Sequence, residues 1–106
     1  MKVINLNDED FDQKTSTGIT LVDFYADWCG PCKRMVPTLN SLADRLSGRA
    51  SIAKVNVDNN PNLSQRFGVR GIPMFLVIKD GQVVNRITGS RSESELLDAL
   101  GFGGKE

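Results

Sequence analysis

The two cysteines of this 106-residue chain stand two residues apart in Ala26-Asp27-Trp28-Cys29-Gly30-Pro31-Cys32-Lys33, directly after the apolar run Ile19 to Ala26. Thiols at that spacing could share a metal ion, form a permanent staple, or open and close as a working dithiol. A zinc site needs four ligands, commonly Cys or His, and the sequence supplies two cysteines and no histidine. The entropy a disulfide removes from the unfolded chain grows with the loop it closes. This loop is close to the shortest possible, so a staple here would hold little together. The remaining chemistry is reversible thiol–disulfide exchange.

Exchange begins with a thiolate, so one sulfur must ionise easily and be reachable. A helix is expected to start at the cysteines, with Pro31 in its first turn, where a missing N–H is tolerated. Cys29 at the mouth of that helix meets unpaired backbone donors and the positive end of the helix dipole, which favour its anion. Cys32, one turn in, is expected to be more covered. Cys29 would therefore attack a substrate disulfide and Cys32 would resolve the mixed disulfide. Gly30 lets a partner's backbone approach closely, and Pro31 stiffens the corner.

Asp23 interrupts "ITLVDFYA", a strand expected to be apolar on both faces, where a carboxylate is expensive. Burial should raise its pKa and leave it able to exchange a proton with Cys32. The alternative is an aspartate simply hydrogen-bonded to backbone at a strand end. Lys54 in "SIAKVNVD" could pair with Asp23, or snorkel to solvent. Pro73 in "RGIPMF" could form a cis bond that presents the backbone of Ile72 to an extended substrate, although trans is the commoner state. Trp28 is either core or a contact surface for partners.

These residues need a scaffold, and the patterning supplies five strands and four helices. Val3 to Leu6 reads as a short strand, followed by a helix capped by Asn7 or Asp8 with Phe11 facing inward. Ile19 to Ala26 reads as a central strand. The helix from the cysteines should run to about Leu46, kinked by Pro37, with Val36, Leu39, Ala43 and Leu46 on its buried stripe. Ser51 to Val57 completes a βαβ unit that sets the cysteines at a strand-to-helix corner, an edge where catalytic sites gather. Asn60-Pro61 opens a helix that Gly68 ends, and Met74 to Lys79 and Val83 to Thr88 form an antiparallel hairpin around Asp80-Gly81. Ser92 and Glu95 have capping-box spacing for a last helix closed by Gly101. The expected architecture is α/β: helices on both faces of a mixed sheet, one domain over 1–106 with a flexible tail from about 101 to 106.

Thirteen basic residues balance thirteen acidic ones and are scattered, which argues against a nucleic-acid binder. The N-terminal "MKVINLNDED" turns acidic where a secretory signal would carry an apolar core, and no segment is long enough to span a membrane. The expected location is the cytoplasm, where a lone cysteine pair is transient and catalytic.

Taken together, "VDFYADWCGPCK", "KVNVD", "GVRGIPMF" and "DGQVV…TG" resemble the thioredoxin family in order, spacing and residue type over nearly the whole chain. The resemblance implies a thioredoxin fold and a general protein disulfide reductase. It makes Cys29 the nucleophile, Cys32 the resolving thiol, Asp23 the buried proton-transfer group, Lys54 its neighbour and Pro73 a cis-proline. Trp28, Gly30, Pro31, Ile72, Pro73 and Gly89 would line the groove for partners. It further implies a monomer with no bound cofactor, recharged by a flavin-dependent thioredoxin reductase that draws on NADPH, and acting on disulfide-containing proteins. Three positions depart from the family pattern: Tyr25 where a second tryptophan is common, Met74 where threonine is common, and Thr88 for an apolar residue. They bear on partner choice, since Met74 and Thr88 would lie near the expected groove. An adaptor of the same fold would need no buried carboxylate behind its cysteines, and Pro31 and the lack of a secretory signal argue against a secreted oxidase or isomerase.

Overall fold

In the computed structural model of the chain, which describes residues 2–103, five strands form one sheet in the order β1-β3-β2-β4-β5. Strands β1 (Ile4–Asn5), β3 (Ser51–Asn56) and β2 (Ile19–Tyr25) run parallel. Strands β4 (Met74–Lys79) and β5 (Gln82–Thr88) are antiparallel to their neighbours. The sheet is therefore mixed, as expected. Both residues of the β4–β5 turn, Asp80 and Gly81, have positive φ, 50° and 83°. That is the hairpin conformation for which Asp-Gly is suited.

Alternation along the strands divides the interior into two cores. Leu21, Phe75 and Val77 pack with Met35, Leu39, Leu42, Leu96 and Leu100, the residues of α3 (Val36–Arg45) and α5 (Glu93–Leu100) among them. On the other face Val22, Phe24, Met74, Leu76 and Ile78 pack with Phe11 and Leu63, from α1 (Phe11–Lys14) and α4 (Pro61–Arg66). Asp23 thus projects toward the same side as Leu21, the side of α3. Helix α5 carries the expected capping box of Ser92 and Glu95 and ends at Gly101 with φ 89°. The Phe102 N–H, in the expected flexible tail, bonds the Leu97 carbonyl at 2.9 Å. The tail's residues 104–106 lie outside the described ones.

Three expectations change. The single helix from the cysteines is two segments, α2 (Gly30–Arg34) and α3, interrupted at Met35. Pro37 has no N–H for the Lys33 carbonyl, which removes one bond of the ladder at this point. Val36, placed on the buried stripe, is 44% exposed, and Leu42 is fully buried. Of the two expected caps of the first helix only Asn7 serves: its Oδ1 accepts the Glu9 and Asp10 N–H groups at 2.9 Å, and Asp10 Oδ1 accepts the Asn7 N–H at 2.8 Å, one turn ahead of Phe11. Asp8 instead accepts the Leu63 N–H of α4 at 3.0 Å, while its own N–H donates to Asn60 Oδ1 at 2.9 Å.

Candidate active site

Strand β2 ends at Tyr25, and four residues later Cys29 occupies the N-cap of α2 in extended conformation, φ −90° and ψ 113°. Its Sγ accepts the Cys32 N–H at 3.2 Å, and the two cysteines are joined in a disulfide. The expected difference in exposure is slight, since Cys29 is 5% exposed and Cys32 3%. What separates them is the side each one faces.

Cys29 faces the loop that precedes β4. Its Sγ lies 3.9 Å from the Ile72 carbonyl oxygen, and the Ile72–Pro73 peptide is cis. The Pro73 carbonyl accepts the Gly89 N–H at 2.7 Å, which joins the end of β5 to the same loop. Gly89 has φ 98°, a conformation that suits glycine. Trp28 is 69% exposed, which removes its core reading, and its indole N–H donates to Asp58 Oδ2 at 2.9 Å. Gly30 and Pro31 are at the surface beside Cys29. Of the departures from the family pattern, Thr88 is exposed but Met74 is buried. Met74, expected to lie near the groove, instead packs into the core on the α1 and α4 face.

Cys32 borders a cavity of about 400 Å³ that it shares with Asp23, Lys54, Tyr25, Lys33 and Val36. Asp23 is 2% exposed, and its Oδ1 has no hydrogen-bond partner among the described residues. Burial pushes its carboxyl up to about 7, against a weaker downward pull from the Lys54 charge. This answers the alternative of an aspartate satisfied by backbone. Asp23 and Lys54 are in register on the parallel strands β2 and β3, so their side chains share a face. Of the two alternatives for Lys54 the structure shows the outward one: its ammonium sits over the Tyr25 ring, 5.2 Å from the centroid, and no ion pair with Asp23 forms. That placement takes Lys54 outward, half-buried, and leaves Asp23 as the polar floor of the cavity. Among the described residues no group of acidic, cysteine or histidine side chains is arranged to hold a metal.

The Trp28–Asp58 bond escaped the sequence reading. Asp58 stood in the quoted "KVNVD" block, but thirty residues separate it from Trp28, and no local spacing signals the contact.

The chain has close counterparts among known proteins. The thioredoxin family model matches residues 2–101. Thioredoxins of Staphylococcus aureus strains COL and MW2 are 42% identical over 100 residues, covering 94% of this chain and 96% of theirs. The solved structure of a mutant thioredoxin from Halobacterium salinarum NRC-1 superposes with a TM-score of 0.88 at 33% identity, covering 99% of this chain and 94% of that one.

Proposed function

The chain belongs to the thioredoxin family, a family of disulfide oxidoreductases, and from that premise we propose that it is a general reductant of protein disulfides with the division of labour that follows. The observation that carries this reading is the position of the cysteine pair between two different environments, the cis Ile72–Pro73 loop on the Cys29 side and the buried carboxyl of Asp23 on the Cys32 side.

In the reduced protein, the Cys29 thiolate attacks one sulfur of a target disulfide. A Cys29–target bond forms, the target's S–S bond breaks, and its second sulfur leaves as a thiolate that takes a proton from solvent. The Cys32 N–H that reaches Cys29 Sγ at 3.2 Å supports the anion. Cys32 then gives its proton to Asp23, attacks Cys29 Sγ and expels the remaining target sulfur. The target gains two electrons and the protein is left as the disulfide. A carboxyl held at about 7 populates both protonation states near neutral pH, which suits a group that must accept and return a proton. The cavity they share is large enough for water, and Asp23 and Lys54 in its lining offer polar partners to a water that links Cys32 to Asp23. Trp28, Gly30, Pro31, Ile72, Pro73 and Gly89 receive the target chain, with Ile72 and Gly89 offering backbone groups to an extended segment.

No helix among the described residues is long and apolar enough to cross a membrane. The reading further takes the protein as a cytoplasmic monomer with no cofactor of its own. A flavin-dependent thioredoxin reductase returns the electrons from NADPH.

Reduction of insulin with dithiothreitol, repeated with thioredoxin reductase and NADPH, tests the activity. The Cys32→Ser protein should trap target proteins as mixed disulfides through Cys29, identified by mass mapping. No acceleration of insulin reduction would reject the reductase, and trapping by Cys29→Ser in place of Cys32→Ser would reverse the order of attack.

A further inference from the structure

The chain's net charge is zero, yet the two walls of the groove beside Cys29 are not neutral. On the α2 wall, a methyl group placed on Gly30 would meet the Arg34 guanidinium at 3.6 Å. On the opposite wall, a methyl group placed on Gly89 would meet the Arg91 guanidinium at 3.3 Å. Each arginine therefore lies against a glycine that borders the path of an extended target. Gly30 follows Cys29 in the chain, and Gly89 is tied to Pro73, one residue from the Ile72 carbonyl that faces Cys29 Sγ. Arg91 donates to the Ser90 carbonyl at 2.9 Å, which holds its head group at the loop. Neither guanidinium is within ion-pair distance of a carboxylate among the described residues, although the Arg91 charge acts on Glu95. The opposite charge is found at Trp28, where Asp58 accepts the indole N–H and Asp27 is exposed.

Building on the reductase reading, we infer that Arg34 and Arg91 set substrate preference: the groove favours target disulfides whose cysteine, the one attacked by Cys29, is flanked by acidic side chains. Arginine presents fixed forked donors that match a carboxylate, and a cation on each side of the approach to Cys29, set apart from the acidic Trp28 end, steers an oppositely charged target segment to it. The exchange itself is unchanged. The arginines act on encounter and alignment and take no part in the electron or proton balance.

The test uses the full, pre-reduced chain and three synthetic peptides with the same internal disulfide, flanked by Glu, Gln or Lys. Each rate constant is divided by that for dithiothreitol on the same peptide, which removes the intrinsic reactivity of the disulfide. At low ionic strength the Glu peptide should react about tenfold faster than the Lys peptide. The ratio should fall toward one in about 1 M salt, where the screening length is about 3 Å, and fall at low salt in the R34Q/R91Q variant. Equal rates for the wild type at low salt, or a ratio that persists in the variant, would overturn the inference while the reductase reading stands. If even the Gln peptide is not reduced, both fall.

Discussion

At the scale of the residue, the site depends on how one carboxylate is buried. Asp23 has its carboxyl raised to about 7, chiefly by desolvation, so the folded protein holds a proton that the unfolded chain releases near pH 4. The stability this contributes is complete below the unfolded value, falls as pH rises between the two values, and is gone above the folded one. The loss is about 1 to 4 kcal/mol, since a tenfold change in proton affinity is worth about 1.4 kcal/mol. Urea melts of the oxidised protein at pH values below and above this window should show it. The Asp23→Asn variant should be flatter across the window and more stable than the parent at pH 8, while its insulin reduction slows by about tenfold or more because Cys32 loses its proton acceptor. A variant that is less stable at pH 8 and equally fast would make Asp23 a structural residue. The cysteines and Asp23 were legible in the sequence because each violates a local expectation: a thiol pair too close to staple anything, and a charge inside an apolar strand. Lys54 was legible as a neighbour of Asp23 but not in its posture, since the pull of the Tyr25 ring on its ammonium depends on a facing strand pair.

Elements were legible where their signals are local. The capping box at Ser92 and the Asp80-Gly81 turn involve residues a few positions apart, and both form as expected. The errors arose where a local signal was claimed by a distant partner. Asp8 looks like the cap of the first helix, yet its carboxylate accepts the Leu63 N–H of α4. The residue at the N-cap of α4, Asn60, has its side chain engaged with Asp8 N–H and the Asn56 carbonyl. The two segments therefore cap each other. Removing the Asp8 carboxylate leaves a helix-terminal donor without a partner, at a cost of about 1 kcal/mol. The Asp8→Ala variant should accordingly lose that much in urea melts and lose hydrogen-exchange protection at Leu63. An unchanged Leu63 amide would mean that the cap contributes nothing. The break between α2 and α3 has the same kind of cause. Pro37 was visible, but whether a proline bends or breaks a helix depends on packing, and Leu39 and Leu42 seat in the core while Val36 turns outward.

For the molecule as a whole, the relevant quantity is how much of the fold rests on the disulfide that must open in every cycle. The sheet order was set by the βαβ unit and the hairpin, and the two cores on either side of it contain no cysteine. Cys29 and Cys32 belong to a separate small cluster with Ala26, at the corner and not beneath the helices. Chain-entropy reasoning gives a bridge over so short a loop about 2 kcal/mol, against about 3 for a fifteen-residue loop. The oxidised and reduced forms should therefore share one fold and differ in unfolding free energy by about 2 kcal/mol, measurable by parallel urea titrations with and without excess reductant. The same difference is the free energy by which folding biases the dithiol toward the disulfide, because the four states form a closed thermodynamic cycle. A small value is what allows a carrier to be emptied and refilled without unfolding. If reduction cost most of the stability, or left the chain molten, the cysteine pair would be a structural clasp, and the exchange chemistry assigned to it would demand a refolding step in each turnover.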